Sequence, residues 1–368
     1  FFNRVFNRSG ELLNEPCSDA VYSIRQICRF FKKLKIGCSP QREAAAIKAF
    51  IKTEEELYHA TAKVLSKDEV LDRVSGIIWT QVFPEFDYTD LVCSHGPGVT
   101  ADRLSPHGRY TIRQWPSRSE LLFPSDLHAY PNYGYAAEAA KGGDSFSSGI
   151  EYLSVGDEPP VRVVFVPKTL KAPRVIAIEP SHMQYMQQAL MAHVVPTLER
   201  HCLTRSSIRF SDQETNKRLA HQASIDRRLA TLDLSEASDR VHFALVQRIF
   251  RKSPILEYLE DCRSLHALLP NGRNVILSKF ASMGSAMCFP VEAMVFYTLL
   301  QTAMHRQDGV TPTFRSCLEY SKQISVYGDD LIVPVEYVDA VVQVLESYAL
   351  KVNVSKSFRF SQFRESCG

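Results

Sequence analysis

An α+β fold, a small antiparallel sheet backed by helices, is predicted by three observations in this sequence. The stretch Ile324-Ser325-Val326-Tyr327-Gly328-Asp329-Asp330-Leu331-Ile332-Val333-Pro334 sets β-branched residues on both sides of Gly328-Asp329, the pattern of two strands joined by a tight turn. Upstream, Ala230-Thr231-Leu232-Asp233-Leu234-Ser235-Glu236-Ala237-Ser238-Asp239 reads as a strand that delivers Asp233 and then opens into a helix. Downstream, Val338, Val341, Val342, Leu345 and Tyr348 share one face of a helix over 336–350, which leads into a closing strand over 350–358.

The turn carries the chemistry. Neighbouring side chains on a strand point to opposite faces, so a turn is one of the few places where Asp329 and Asp330 can both approach one cation, with Gly328 supplying the backbone angles. Close carboxylates repel unless a cation lies between them, and hard divalent cations such as Mg²⁺ take oxygen ligands. Asp-Asp after Gly is also the composition of an ordinary solvated turn. Asp233 on a second strand makes the combination more specific, because two cations about 3.5–4 Å apart need oxygens from more than one element.

The chain has 368 residues, 45% hydrophobic and 23% charged, enough to bury a substantial core in two or three subdomains. Nine cysteines are scattered without metal-finger spacing, which favours reduced thiols over disulfides or zinc. Formal net charge is only +2, which excludes a polybasic coat, but Val161 to Arg228 holds eleven Lys/Arg against five Asp/Glu. A surface of one sign steers a polyanion. The chain starts Phe1-Phe2 and shows no signal peptide, so a fragment is expected. Ala286 to Met304 is long and apolar, yet Pro290 and Glu292 inside it favour a buried helix over a membrane span.

In chain order, 20–71 reads as helices, with Val21, Ile24, Ile27, Cys28 and Phe31 at helical spacing. From Val92 to Gly149 the sequence turns loop-rich, and its Arg103, His107, Arg109, Arg113, Tyr110 and Trp115 suit either nucleic-acid contact or a solvated loop. The segment 159–180 reads as a β-hairpin whose proline-stiffened connector carries Lys168, Lys171 and Arg174. Cations on a rigid hairpin can grip a triphosphate; they can equally keep a tip soluble. Ser181 to Arg200 is a helix. Leu268 to Ile276 is a second hairpin, with Asn271-Gly272 at its turn. Ser282-Met283-Gly284-Ser285 then precedes the apolar helix, offering backbone N–H groups and hydroxyls to phosphate or sugar, or simply capping the helix.

Taken together these motifs resemble those of viral RNA-dependent RNA polymerases, and in particular the catalytic beta subunit of the replicases of single-stranded RNA bacteriophages, the leviviruses. Ala230 to Asp239 resembles the first metal-binding motif, Ser282-Met283-Gly284 the nucleotide-positioning loop, and Ser325 to Asp330 the catalytic hairpin. Phe363-Arg364-Glu365-Ser366-Cys367-Gly368 resembles the signature just past the palm. The likeness covers roughly Pro159 to Gly368, and more faintly His95 to Asp102. Ser285 to Pro290 departs from the more polar, glycine-containing segment usual at that point.

The resemblance implies a right-hand polymerase with helical and loop-rich fingers, an antiparallel-sheet palm with an RRM-like core, and little or no thumb within this chain. Residues 1–225 would be the N-terminal region and fingers, and 226–368 the palm, with a fingers insertion around 251–280. It implies template-directed RNA synthesis from ribonucleoside triphosphates by two-metal nucleotidyl transfer. Asp233, Asp329 and Asp330 would hold two Mg²⁺ or Mn²⁺ ions, and Lys356 would donate a proton to pyrophosphate. Lys168, Lys171 and Arg174 would hold the triphosphate, Asp239 with Ser282 would select ribose, and Gly284 would lie in the nucleotide site. Implied partners are RNA, nucleoside triphosphates, and the host elongation factors Tu and Ts with a ribosomal protein, in the cytoplasm of an infected bacterium and without a membrane. A reverse transcriptase, or a non-catalytic RNA-binding scaffold, are the alternative readings.

Overall fold

A computed structural model describes residues 1–32, 37–105, 107–129, 150–168 and 172–367. The chain divides into two compact units, Phe1–Ala49 with Phe165–Val175, and Phe50–Val164 with Ile176–Gly368. Its helices are α1 (Ser18–Lys32), α2 (Pro40–Val64), α3 (Glu69–Val82), α4 (Ser125–His128), α5 (Ser181–Arg200), α6 (Glu214–Asp226), α7 (Phe243–Phe250), α8 (Ile255–Asp261), α9 (Cys288–Asp308), α10 (Phe314–Ser321) and α11 (Val338–Ser347). Its strands are β1 (Gln114–Pro116), β2 (Glu151–Leu153), β3 (Val161–Val166), β4 (Arg174–Ile178), β5 (Leu229–Leu232), β6 (Leu234–Ser235), β7 (His266–Leu268), β8 (Asn274–Ile276), β9 (Ser325–Tyr327), β10 (Asp330–Pro334) and β11 (Lys351–Val352).

In the first unit a tight loop is closed by a bridge between Phe6 and Leu12, and Asn7 Oδ1 accepts from the backbone N–H groups of Ser9 and Glu11. α1 forms where the apolar period placed it, yet Ile27, Phe30 and Phe31 are exposed. Periodicity specifies a helix; burial needs a second surface.

The core of the second unit gathers around α9, buried on every face from Pro290 to His305, which is why its sequence is a continuous apolar run rather than a stripe. Among the described residues no helix is long and apolar enough to cross a membrane. α9 packs on α3, α7 and α11. Trp79 of α3 donates its Nε1–H to Thr298 Oγ1 at 3.0 Å, and its ring lies 5.1 Å from Phe250 and 6.3 Å from Tyr297. One indole thus joins three helices, a position where truncation costs on the order of 3–5 kcal/mol. The Asp68 carboxylate accepts from the Leu71 N–H at 3.1 Å and caps α3.

The expected antiparallel sheet is present, three-stranded in the order β5-β10-β9. Leu232 pairs with Leu331 and Leu229 with Pro334, while Tyr327 pairs with Asp330. Residues 207–209 run along the outer edge of β9 through backbone bonds to Val326. α6 backs β5 and β10.

Two details differ from the sequence expectation. The chain does not enter a helix directly after Asp233: Leu234 and Ser235 are drawn into β6, paired with Val352 and Lys351, and α7 begins only at Phe243. Glu236 adopts φ +54, and Arg240 is held by ion pairs to Glu56 and Glu236. Tertiary pairing here overrides a local pattern that suits a helix. The closing strand is likewise reduced to β11, because Asn353 turns its amide onto Asp233 and Val354–Lys356 becomes a 3₁₀ turn. The hairpin of β7 and β8 forms as expected, with Leu269 N–H donating to Arg273 O across the loop. β3 and β4 are neighbours in a second sheet, β4-β3-β7-β8, and the connector residues 169–171 lie outside the described residues.

Candidate active site

The turn between β9 and β10 is a two-residue loop, Gly328-Asp329, closed by the Tyr327–Asp330 pair. Gly328 has φ +58, and a Cβ there would fall 2.1 Å from the Phe289 ring, so backbone angle and packing both demand glycine. Phe289 is itself clasped edge-on by Phe210 and Tyr327. Continuing the β5–β10 register one step beyond Leu232–Leu331 sets Asp233 opposite Asp330. Two segments almost a hundred residues apart in sequence thereby present their carboxylates at the same end of one sheet.

Electrostatics agree with that placement. Burial pushes the Asp330 carboxyl above its usual range, the Asp329 and Asp233 charges push it further, and hydrogen bonds from Cys367 oppose them. Glu292 on α9 is driven well up, first by burial and then by Asp329 and Asp239. The second unit therefore holds a field of carboxylates that sense one another. Asp233 Oδ2 accepts from Asn353 Nδ2 at 2.9 Å and lies 3.7 Å from Lys356 Nζ. The β6–β11 pairing delivers both partners, with Asn353 N–H donating to Asp233 O and the Asp233 N–H donating to Ser357 Oγ.

Asp239 sits in a 3₁₀ turn and accepts from Lys279 Nζ at 2.7 Å. Lys279 is fully buried, 3.2 Å from Glu54 and 3.7 Å from the centre of the Phe50 ring. Burial alone would lower its pKa, but Asp239 and Glu54 hold it raised, so it stays a cation. Ser282 Oγ is buried without a hydrogen-bond partner, and no bond joins it to Asp239. Gly284 has φ +136 and lies against β4: Ala177 N–H donates to Met283 O at 2.9 Å, and a Cβ on Gly284 would fall 2.0 Å from Ala177 O.

Asp233, Asp329, Asp330 and Lys356 are thus brought together, with Glu292 coupled by charge to Asp329 and to Asp239. Lys168 and Arg174 are exposed residues of the first unit, and Lys171 lies outside the described residues. Among the described residues no three His, Cys, Asp or Glu side chains stand close enough to hold one metal ion. Sequence reasoning missed Lys279, Glu54, Glu292 and Asn353. Only Asn353 had a usable signal, three residues before Lys356; a lysine and a glutamate of two distant segments meeting in a core leave none.

The family model for RNA replicase, beta-chain, matches residues 137–368. The chain is similar to the RNA-directed RNA polymerase beta chain of Escherichia phage MS2, at 34% identity over 56% of this chain and 34% of that protein. It is similar at 35% identity to the corresponding beta subunit of Escherichia virus Qbeta, over 56% of this chain and 32% of that protein. With that of Enterobacteria phage SP the identity is 32%, over 72% and 45%. The matched stretch thus spans about a third to under a half of these relatives. Among solved structures, the RNA-dependent RNA polymerase of a human picobirnavirus aligns over 54% of this chain and 40% of that one, with TM-score 0.39 and 12% identity. With the family model covering well over half of the sequence, and the carboxylate turn, the Asp233 strand and the Lys356 segment all inside the matched region, this chain belongs to the RNA replicase beta-chain family.

Proposed function

We propose that this chain carries out template-directed RNA synthesis from ribonucleoside triphosphates, as part of the replication of a viral RNA genome in an infected bacterial cell. The observation that carries the reading is the meeting of Asp233, Asp329 and Asp330 at one end of a sheet with Lys356 beside Asp233, in a chain of this family. In this reading the three-stranded sheet is the palm, 226–368 its domain with a fingers insertion around 251–280, and 1–225 the N-terminal region and fingers.

Asp233, Asp329 and Asp330 would hold a pair of divalent cations, Mg²⁺ or Mn²⁺, through hard oxygens from two strands and a turn, no single ion taking all three as they stand; burial first and then the Asp329 and Asp233 charges raise Asp330, and a cation would relieve the latter. When bound, such ions activate the attacking 3′-hydroxyl and stabilise the departing pyrophosphate. Asn353 and Lys356 hold Oδ2 of Asp233 and so orient that carboxylate. The Lys356 ammonium is the group placed to give a proton to pyrophosphate. Lys168, Lys171 and Arg174 hold the triphosphate, and Asp239 with Ser282 reads the ribose. Lys279 holds the Asp239 carboxylate in place, and Gly284 lets the loop of Ser282 lie against β4. The elongation factors Tu and Ts and a ribosomal protein are the host partners this reading entails.

The test is Asp329→Asn in the full-length protein. Incorporation of labelled nucleotide with Mg²⁺ or Mn²⁺ should be lost while the melting temperature and RNA affinity stay near parental. A variant that folds, binds RNA and polymerises at the parental rate would falsify Asp329 as a cation ligand. A parental protein that binds RNA and incorporates nothing under either metal is a non-catalytic scaffold instead.

A further inference from the structure

At the opposite end of the same sheet lies a cavity of about 810 Å³. It is lined by Arg209, Arg218, Arg227, Arg228 and Lys322, with Glu336 the one carboxylate in the lining among the described residues. Its floor includes Leu229 and Pro334, the pair that ends the β5–β10 ladder away from Asp233 and Asp330. Four residue steps along β10 carry the chain from Asp330 to Pro334, about 13 Å at the rise of a strand, and the lining reaches up β10 as far as Ile332. None of the carboxylates of the candidate active site lines the cavity.

Its cations have arrived there by different routes. Arg209 lies on the segment beside β9, Arg218 on α6, Arg227 at the left-handed residue that ends α6, Arg228 at the entry to β5, and Lys322 just after α10. Among the described residues none of the five makes an ion pair within 4.0 Å, and Arg218, Arg227, Arg228 and Lys322 are exposed. The nearest acids are otherwise engaged: Asp226 accepts from the Arg228 backbone N–H, and Asp212 from Thr215. Burial and then the Arg227 charge lower the neighbouring Arg364, and Asp226 opposes them. Arg209 Nη1 donates to Ser206 O at 3.0 Å, and guanidinium groups without an acid partner around an open cavity offer forked donors to phosphate oxygens. Half-buried Leu229 and Val335 give an apolar wall for a ribose or base. Space of this order takes about one or two nucleotides, not a duplex.

We propose that this cavity is a second polyanion site that takes the phosphodiester backbone of single-stranded RNA. Naming RNA as the strand rests on the proposed function; the attraction for phosphate rests on the charge alone. Four of the five cations, Arg209, Arg218, Arg227 and Arg228, come from the 161–228 segment whose basic surplus stands out in the sequence.

The test is binding of a short labelled oligouridylate to the full-length protein across a salt series without divalent metal, comparing the parent, Arg218→Ala/Arg228→Ala and Arg218→Lys/Arg228→Lys. Loss of two phosphate contacts should weaken binding roughly tenfold at low salt and make the slope of log affinity on log salt shallower by about 1.4. The lysine pair should recover most of both. Both substituted residues are exposed, and a melting curve verifies the fold. Parental affinity and slope in the folded alanine pair would overturn the proposal. So would a loss of metal-free ATP binding with oligouridylate binding intact, which assigns the cavity to free nucleotide. Because the readout is binding, a protein that incorporates no nucleotide still tests it, and incorporation measured in parallel keeps the two failures distinct.

Discussion

The two ends of the three-stranded sheet share β5 and β10 and differ in the sign of their charge and in how it is held. At the turn end, Asp233 and Asp330 are half-buried, set by strand register and by a glycine whose backbone angle and packing both exclude a side chain without strain, and burial, then the Asp329 and Asp233 charges, raise Asp330. At the cavity end, the guanidinium groups are mostly exposed and come from a helix, its end and loops, with no ion pair among the described residues to fix them. Concentrated chemistry needs position to a fraction of an ångström. Distributed phosphate attraction needs only charge within reach of water-exposed oxygens. The turn end should therefore fail abruptly when altered and the cavity end by increments.

The largest expected effect lies at the turn. Asp329→Asn keeps size and turn geometry, so nucleotide incorporation should fall about a thousandfold or more, worth roughly 4 kcal/mol of barrier, while oligouridylate affinity stays within about twofold. A parallel loss of RNA affinity would collapse the distinction between the ends.

A buried carboxyl in neither end calibrates what burial alone does. Glu179 accepts from Ser264 Oγ at 2.5 Å and is pushed up to about 7 by burial. Folded chains keep that proton between its ordinary value of 4.5 and about 7, whereas unfolded chains release it, so stability is full below 4.5 and falls as pH rises through 7. The loss is up to about 3 kcal/mol. Glu179→Gln should flatten that decline in a melting series across the window; an unchanged slope would mean the proton is not held.

Gly328→Ala sharpens the turn side further. Its Cβ would meet the Phe289 ring at a backbone angle that favours glycine, a change expected to cost about 2 kcal/mol of stability and to depress incorporation more than RNA binding. Chemical denaturation with both assays on one preparation decides it.

The smallest effect is common to both ends. Each stores like-charge repulsion, so in chelator and without RNA, Asp330→Asn and Arg228→Gln should each raise the melting temperature by about 1–3 °C. Added RNA should reverse the order for Arg228→Gln alone. A drop in melting temperature for both variants would show that these charges are compensated after all.

What the sequence determined by itself is local. The Gly328-Asp329 turn, the strand ending at Asp233, the helix Ser181–Arg200 and the buried helix after Ser282-Met283-Gly284 were all legible, because period, turn chemistry and apolar run length are properties of neighbouring residues. Lys356 was legible through family resemblance. What only the tertiary structure decided depends on strand direction and on meetings between distant segments. A basic surplus over 161–228 can be counted, but that Arg227 and Arg228 stand at the end of β5 away from Asp233 follows from which way β5 and β10 run. The helix expected straight after Asp233 gave way to β6, because Leu234 and Ser235 found partners in a segment more than a hundred residues on. Lys279 is a core cation only because Glu54 and Asp239 converge on it; taken from its own neighbourhood, it would be read as a solvated surface charge.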